Sequence, residues 1–343
     1  MAQSVAKRLS RSCSPAAIED DLTLLWRDAG RDGPVLRALM ANLIVYRHRP
    51  ASAGASQVDL DEPIEGVPLD EVAERHPSRI ILLHHGGRKD LCSPLQATIA
   101  ILLFGGAASR FGVERIAIRS ACAEASLPSI VRRLSLGDVP TSIWWTEDLS
   151  EGALLPPLVA MGRQFVYDSR RWQDIARGVQ ALAPILTRPN APDLADLNWR
   201  RLVPMRQALM QAVSPINLAP AVTIAKARIQ HRPGDAVLAW LLAGWFCSRL
   251  GWSFNRGCPI TIEEAAGDEM LSVAVGAGDS HDIVAAMDEH RVVVTYRENA
   301  KPFTVAVPQE SDAEAVAAEL RTLAVDRCLR EALVALTHRF GAS

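Results

Sequence analysis

The stretch that most constrains the fold runs from Gly137 to Trp145 and ends in two adjacent tryptophans. Its bulky residues fall on both faces of an extended chain, with only small polar residues between them, so the pattern predicts a strand in a sheet that is covered on both sides. Pro140 fits only the first position of such a strand, where no ladder donor is needed. Trp144 and Trp145 must point to opposite faces. One is expected in the core, and the other either in the core as well or against a helix, a second domain or a partner.

Strand-like and helix-like segments alternate through residues 15–190. Between the apolar strand segments, residues such as those from Glu124 to Leu136 place apolar side chains three and four positions apart, as in a helix. This rhythm predicts an α/β domain built on an open, largely parallel sheet with helices on both faces. The predicted strands are Leu39–Tyr46, Ile80–His84, Val113–Arg119, Gly137–Trp145 and Gln164–Tyr167.

The chain has 343 residues, which is long for one ordinary core and suggests two domains. Residues 1–14 are expected to form a disordered leader, because no apolar segment follows their basic residues as it would in a secretory signal. The proline-broken connector Thr187–Pro192 predicts a domain boundary near residue 190. Residues 191–343 combine short strands, an apolar helix between Asp235 and Gly251 and a C-terminal helical pair, which predicts an α+β domain with a buried central helix.

Charge and composition bear on the possible partners. A net charge of −2 gives no long-range field that would attract nucleic acid or acidic lipid. The longest apolar run of the second half, Val237 to Cys247, is far shorter than the roughly 20 residues that a membrane helix needs. The six cysteines show no C-x-x-C spacing, which is typical of reduced, packed thiols. We therefore expect a cytoplasmic protein that binds neither nucleic acid nor membrane.

Motifs of the common enzyme classes do not emerge. The His84–Gly87 segment has the composition of an esterase oxyanion loop, but no G-x-S-x-G elbow accompanies it. Gly276–His281 offers two of the three glycines of a dinucleotide fingerprint and is better explained as a turn. His84, His85 and Cys92 are the only cluster of metal-ligand types, and a histidine pair in a loop is usually solvated. We predict no catalytic residue, no metal and no cofactor.

Three arginines, Arg200, Arg201 and Arg206, admit two interpretations. A guanidinium group can bind phosphate or carboxylate through two parallel hydrogen bonds, which would suit a phosphosugar or a nucleotide at the carboxyl ends of the first sheet. Alternatively, Asp193, Asp196 and the nearby helix ends could satisfy these arginines inside the protein. The residues alone leave both interpretations open.

A set of strings in fixed order resembles one known family. The strings are His76–Ile81, Gly137–Trp145, Asp168-Ser169, Asp196–Arg206, Leu242–Leu250, and Arg297 with Ala300–Pro302. From about residue 38 to the C-terminus the chain resembles the OpcA family, the glucose-6-phosphate dehydrogenase assembly proteins, or effector subunits, of cyanobacteria and actinobacteria. It departs from the family pattern at Pro204-Met205-Arg206, where a Trp-Arg pair is usual.

The resemblance implies a non-catalytic protein that binds glucose-6-phosphate dehydrogenase and favours its active, assembled form in the oxidative pentose phosphate pathway. Because tryptophan and arginine dominate interface hot spots, we expect an exposed tryptophan of the 144–145 pair, or Trp199 with its arginines, to anchor the partner. The candidate interface residues are Trp144, Trp145, Asp168, Trp199, Arg200, Arg201 and Arg206.

Three other hypotheses accompany this one. The first is a phosphosugar- or nucleotide-binding protein or enzyme that uses the arginines at the carboxyl ends of the first sheet. The second, which follows from the thioredoxin control of cyanobacterial relatives, is a redox role for the cysteines. The third is a scaffold for another metabolic enzyme.

Overall fold

The structure is a computed structural model that describes residues 7–48, 66–86, 95–106, 109–120, 127–151, 155–213, 225–254, 257–277, 282–296 and 301–341. Two sheets organise these residues. Sheet A contains β1 Lys7–Cys13, β2 Leu36–Arg37, β3 Ala41–His48, β4 Ser78–His85, β5 Gln96–Phe104, β6 Phe111–Ser120, β7 Thr141–Trp145, β8 Gln164–Tyr167 and β9 Asp193–Asp196. Sheet B contains β10 Ala225–His231, β11 Ile260–Glu264, β12 Leu271–Ala277, β13 Ile283–Met287, β14 Arg291–Tyr296 and β15 Phe303–Ala306.

Ten α-helices accompany the two sheets in the described part of the chain. They are α1 Ile18–Ala29, α2 Leu69–Arg75, α3 Leu127–Leu134, α4 Pro156–Val159, α5 Ile175–Thr187, α6 Leu197–Arg201, α7 Val203–Val213, α8 Ala236–Leu250, α9 Asp312–Arg321 and α10 Arg327–Phe340.

Sheet A has the strand order β1-β5-β6-β4-β3-β7-β8-β9, with the short β2 paired to the start of β6. The six strands from β6 to β9 are mutually parallel, and only β1 and β5 run antiparallel to their neighbours. Numbered along the chain, the six parallel strands follow the order 3-2-1-4-5-6, which is that of doubly wound dinucleotide-binding folds. The predicted open, largely parallel sheet is confirmed.

Helices cover both faces of sheet A. On one face, α1, α3, α4 and α5 bury apolar residues such as Leu22, Val131 and Leu182 against the strands. On the other face, α2 and α9 pack side by side and contribute Val72 and Val316. The second layer therefore combines a helix from the first third of the chain with one from its last tenth.

Sheet B packs one face against α7 and α8, and α10 lies over α8 and α5. Helix α8 is apolar on all sides and almost entirely buried, so the predicted central helix is confirmed. Gly244 permits a close approach of α8 and α10, since a Cβ atom there would lie 2.8 Å from the carbonyl oxygen of Ala332. Gly251 ends α8 in the left-handed conformation, at φ +67°.

The N-terminal segment differs from expectation, because residues 7–13 form β1 and are not a disordered leader. The strand pairs along its whole length with β5, and Leu9 and Cys13 pack onto the core. Arg8 forms an ion pair with Asp70, and Arg11 forms one with Asp21. An edge strand with basic side chains facing solvent lacks the apolar alternation that identifies central strands, which explains the misassignment. Residues 1–6 lie outside the described part of the chain.

The predicted boundary near residue 190 stays a prediction. Strand β9 comes after it yet completes sheet A, and α9 covers a face of that sheet. One continuous apolar cluster joins the α5 side of sheet A to α7, α8 and sheet B. The two regions thus share much of their packing.

Candidate functional site

Both tryptophans of β7 are core residues. Trp144 packs in the cluster under α2 and α9, and Trp145 packs in the cluster on the opposite face. Their exposed fractions are 5% and 3%. The two residues point to opposite faces as predicted, but both faces are covered, so the expectation of an exposed tryptophan anchor in this pair is wrong.

The point where the strand order reverses lies between β3 and β7. Doubly wound folds bind dinucleotides in the crevice at this point. Here the rings of Tyr46 and Trp145 stack with centroids 4.0 Å apart and an interplanar angle of 12°. Beyond them, the Thr146 hydroxyl donates to the Tyr46 carbonyl oxygen at 2.8 Å, and the backbone N–H of His48 donates to Glu147 Oε1 at 3.1 Å. These bonds connect the carboxyl ends of β3 and β7 directly.

The sequence after β3 also differs from that of a dinucleotide site. Residues 49–57 read Arg-Pro-Ala-Ser-Ala-Gly-Ala-Ser-Gln and contain no G-x-G-x-x-G fingerprint. The strand order of a nucleotide-binding fold is therefore present without the glycines that let a pyrophosphate approach the backbone.

Two aspartates lie at the carboxyl ends of the last two strands of sheet A: Asp168 directly follows β8, and Asp196 ends β9. Asp196, at the end of β9, caps α6 by accepting a hydrogen bond from the backbone N–H of Asn198 at 2.9 Å. The same oxygen accepts a second bond at 3.0 Å from the backbone N–H of Ser169. The Oδ2 atom of Asp196 is buried and has no hydrogen-bond partner among the described residues. Burial raises the pKa of Asp196 to about 7; the backbone donors oppose this shift, and the nearby carboxylate of Asp168 adds to it.

Arg201 connects β8, α6 and α9. Its terminal nitrogens donate to both carboxylate oxygens of Asp168, at 2.9 and 3.2 Å, and NH2 also donates to Asp312 at 3.2 Å. Burial lowers the pKa of Arg201, but the carboxylates outweigh burial and leave the pKa above its ordinary value. The guanidinium is permanently charged and engaged within the protein.

Arg200 makes a second set of contacts from the same helix. Its Nε and NH2 bind the two oxygens of Glu310 at 2.7 and 2.9 Å, and NH1 binds Glu319 at 3.0 Å. The bond to Glu310 raises the pKa of Arg200, burial opposes this, and Glu319 adds to the rise. Arg200 and Arg201 together hold α6 against the segment that begins α9.

Trp199 and Arg206 form a separate cluster on the side facing α10. Trp199 is 3% exposed, and its Nε1 donates to the carboxylate of Asp326, the N-cap of α10, at 2.8 Å. The Arg206 guanidinium lies 3.8 Å from the centroid of the Trp199 ring, a cation–π arrangement. Burial lowers the pKa of Arg206, and Asp326 partly offsets this. Trp199 thus links α6 to α10.

The structure pairs Arg200 and Arg201 with acidic residues of the chain itself, although the acids differ from those expected, and it places Arg206 against the ring of Trp199. Asp168, Glu310, Asp312 and Glu319 bind Arg200 and Arg201, whereas Asp193 and Asp196 do not. Of the seven candidate interface residues, Asp168, Arg200 and Arg201 come together. Trp199 and the half-buried Arg206 contact each other on the side facing α10, and Trp144 and Trp145 are buried within β7.

A cleft of about 750 Å³ opens beside α6, between the carboxyl ends of sheet A and one end of sheet B. Its walls include Arg200 and Arg201, together with Arg170, Gln207 and Arg232. Sequence reasoning missed these last three residues. Arg170 is followed directly by a second arginine, Arg171, but nothing in the sequence indicates that it lines the same cleft as Arg232, 62 positions later.

The remaining sequence hypotheses find little support among the described residues. No group of three His, Cys, Asp or Glu side chains in that part of the chain is placed to hold a metal ion. Burial raises the pKa of the Cys247 thiol to about 12, which disfavours the reactive thiolate. Cys92 and Cys122 lie outside the described residues. In the same part of the chain, none of the helices is both long and apolar enough to cross a membrane.

Comparison with known families gives two consecutive matches. Residues 69–184 match the glucose-6-phosphate dehydrogenase subunit N-terminal domain, and residues 192–333 match the C-terminal domain of the same subunit. The chain belongs to the OpcA family. The two regions together cover most of the chain, including the strings that carried the resemblance up to residue 302.

Individual OpcA relatives agree with this assignment. The protein named OxPP cycle protein OpcA from Nostoc punctiforme is 29% identical over 204 residues, which are 58% of this chain and 42% of the relative. The protein of that name from Synechocystis is 25% identical over 240 residues, 65% of this chain and 49% of the relative. The chain thus spans less than half the length of the curated OpcA relatives that it matches.

Solved structures resemble the chain only distantly. A dehydrogenase (MviM) from Clostridium difficile aligns over 88% of this chain and 97% of its own, with 6% identity and a TM-score of 0.40.

Proposed function

We propose that this OpcA-family chain is a non-catalytic partner of glucose-6-phosphate dehydrogenase that binds the enzyme and favours its active, assembled form in the oxidative pentose phosphate pathway. The observation that carries the proposal is the pair of consecutive matches to the two domains of a glucose-6-phosphate dehydrogenase subunit. Between β3 and β7, where the strand order reverses, Tyr46 stacks on Trp145 and accepts a hydrogen bond from Thr146. These contacts occupy the place where doubly wound folds bind a dinucleotide, which supports a function in which this chain binds no dinucleotide there.

Such a partner acts through its differential affinity for two states of the enzyme. A protein that binds the assembled state more tightly than the dissociated state shifts the population towards assembly. If substrate also prefers the assembled state, linkage requires that substrate and this chain strengthen each other's binding, by ~1–3 kcal/mol in typical systems. The expected kinetic effect is a lower half-saturating concentration of glucose 6-phosphate.

The buried tryptophans change which residues we propose for the interface. Trp144, Trp145 and Trp199 have no exposed face to offer. The side chains of Arg200 and Arg201 are 32% and 23% exposed, so these two arginines are the candidates that we retain for direct contact.

The test combines mass and activity. The glucose-6-phosphate dehydrogenase of the same organism is analysed by size-exclusion chromatography with light scattering, and its activity is titrated with glucose 6-phosphate, each with and without this chain. We expect co-elution, a heavier assembly and a lower half-saturating substrate concentration. Separate elution together with unchanged kinetics would contradict the proposal.

A variant that tests the interface must weaken contact with the dehydrogenase without unfolding this chain. Arg200→Lys keeps the charge and removes the bidentate geometry, while Trp145→Phe keeps most of the buried ring. If Arg200 contacts the enzyme, Arg200→Lys weakens binding while unfolding stays cooperative. Trp145→Phe serves as the buried control and should bind like the wild type.

A further inference from the structure

The cleft beside α6 has the size of a small-molecule site. Its volume of about 750 Å³ falls in the range of roughly 300–1,000 Å³ that is common for ligand pockets. It also lies outside the carboxyl ends of β8 and β9, where open α/β sheets bind ligands. Four arginines and three acids line it, so its wall carries a small excess of positive charge.

Two of these arginines have hydrogen-bonding capacity to spare. Arg170 is 47% exposed, its nearest carboxylate oxygens, on Asp168 and Asp312, are 3.5 and 3.7 Å away, and its guanidinium makes no hydrogen bond within the described residues. Arg232 uses Nε to bind Asp235 at 2.6 Å, but its terminal NH1 has only a 3.6 Å contact to Glu289. The terminal nitrogens of Arg200 and Arg201, by contrast, already bind carboxylates of the chain.

Other polar groups of the wall complement a ligand that carries hydroxyl groups. The exposed amide of Gln207 makes no hydrogen bond to any described residue. The Glu289 carboxylate, whose side chain is 65% exposed, can accept hydrogen bonds. Met270, Met287 and Pro204 supply apolar surface between the charged groups.

The chemistry of the wall separates one ligand class from another. Guanidinium groups with unused donors suit a phosphate group, and carboxylate and amide groups suit sugar hydroxyls. A nucleotide base would gain from an aromatic platform, and none of the described residues that line the cleft is aromatic. We infer that the cleft binds a phosphorylated sugar, with Arg170 and Arg232 holding the phosphate.

Calorimetry on the isolated chain tests the inference. Titration uses glucose 6-phosphate as the probe, with glucose, inorganic phosphate and NADP as separate arms. We expect glucose 6-phosphate to bind at least tenfold more tightly than each of the other three. Arg170→Gln and Arg232→Gln should each weaken binding at least tenfold. Arg177→Gln, whose side chain is 73% exposed on α5 away from the cleft, should leave binding unchanged.

Each contrary result overturns the inference in a different way. Absence of binding at millimolar glucose 6-phosphate rejects the site. If inorganic phosphate binds as tightly as glucose 6-phosphate, the cleft recognises an anion and not a sugar. If NADP binds more tightly than glucose 6-phosphate, the ligand of the cleft is a nucleotide. Unchanged affinity in both arginine variants places the ligand elsewhere. Gln207→Glu provides a second probe if an arginine variant folds poorly, because it adds a repelling charge at an exposed position.

This inference does not depend on the proposed partner. The titration contains no dehydrogenase, and co-elution with the dehydrogenase is measured without ligand. Failure of one experiment therefore leaves the other intact.

Discussion

Arg201 donates hydrogen bonds to both carboxylate oxygens of Asp168, so a residue of α6 is fixed to the carboxyl end of β8. Asp312 accepts a further hydrogen bond from the same guanidinium. Three segments that are far apart in the sequence meet at this one side chain. The sequence allowed Arg201 to bind either the anionic group of a ligand or an acidic residue of the protein. The guanidinium does bind anions through two parallel hydrogen bonds, and these anions are carboxylates of the protein itself.

Arg201→Gln should lower the free energy of unfolding by about 2–3 kcal/mol. The substitution removes charged hydrogen bonds and leaves Asp168, only 8% exposed, without its bidentate partner. Urea denaturation followed by tryptophan fluorescence measures the loss. The matched control is Arg177→Gln, which breaks an exposed pair with Asp174 and should cost about 0–1 kcal/mol. Equal losses in the two variants would contradict the assigned role.

Glu114→Gln should lower the free energy of unfolding further than Arg201→Gln does, with a loss of about 3–5 kcal/mol. Glu114 is fully buried and accepts hydrogen bonds from Arg79 Nε at 2.6 Å and from Trp26 Nε1 at 2.7 Å. Its loss leaves the charge of the buried Arg79 with the exposed Glu19 as its remaining acidic partner among the described residues. Glu19 also binds Arg79 but is 53% exposed, and Glu19→Gln should cost clearly less. Thermal and urea unfolding of both variants measure the two losses of stability. A larger loss in Glu19→Gln than in Glu114→Gln would contradict the prediction.

Asp196 should make stability fall with rising pH. Its pKa in the folded chain, about 7, lies above the ordinary value of 3.8, so between these values the folded chain binds a proton that the unfolded chain has released. This carboxyl therefore lowers the free energy of unfolding by up to about 1.4 kcal/mol per pH unit from about pH 4 to 7, and no further above that range.

Asp196→Asn isolates this contribution. Asparagine still caps α6 but cannot ionise, so stability of the variant should decline less steeply with pH by the equivalent of one proton. Urea denaturation at intervals between pH 5 and 8, within the range where both proteins stay folded, gives the two slopes. Parallel slopes would mean that Asp196 is already ionised throughout this range.

Trp199→Phe should lower the free energy of unfolding by about 1–2 kcal/mol, because it removes the hydrogen bond to Asp326 but retains an aromatic ring that can stack on Arg206. Asp326→Ala should cost more, since it removes the same bond and also the N-cap of α10, worth about 1 kcal/mol. Chemical unfolding of the two variants compares them. A smaller loss in Asp326→Ala would show that the cap contributes little.

Periodicity predicted the central part of the fold well and its margins poorly. Strands β3, β4, β6, β7 and β8 each contain a run of at least three consecutive apolar residues because both of their faces are covered, and such runs are visible in a sequence. Strand β1 lies at the edge with Lys7, Arg8 and Arg11 around its outer surface, so the same criterion could not detect it.

The candidate site was predicted in part, for a different physical reason. The sequence identified Arg200 and Arg201 as groups that bind anions, but the acids that they bind are distant in the sequence. Asp168 lies 33 positions before Arg201, and Glu310 lies 110 positions after Arg200. Local spacing suggested Asp193 and Asp196 because only sequence neighbours can be evaluated without a fold. An exposed member of the Trp144–Trp145 pair was expected for a similar reason, since Trp145 stacks on Tyr46, which is distant in the sequence but lies on the adjacent strand of the sheet.

The position of α9 has a consequence for how the protein is made. The surface of sheet A that Val316 and Leu320 cover is complete in its strands once Asp196 has been synthesised. At translation rates of roughly 5–20 residues per second, this apolar surface waits for its second helix for several seconds or more. During that interval α2 is the only one of the described helices that the nascent sheet carries on this face. The chain thus finishes folding its first-made half by using a segment from its last tenth.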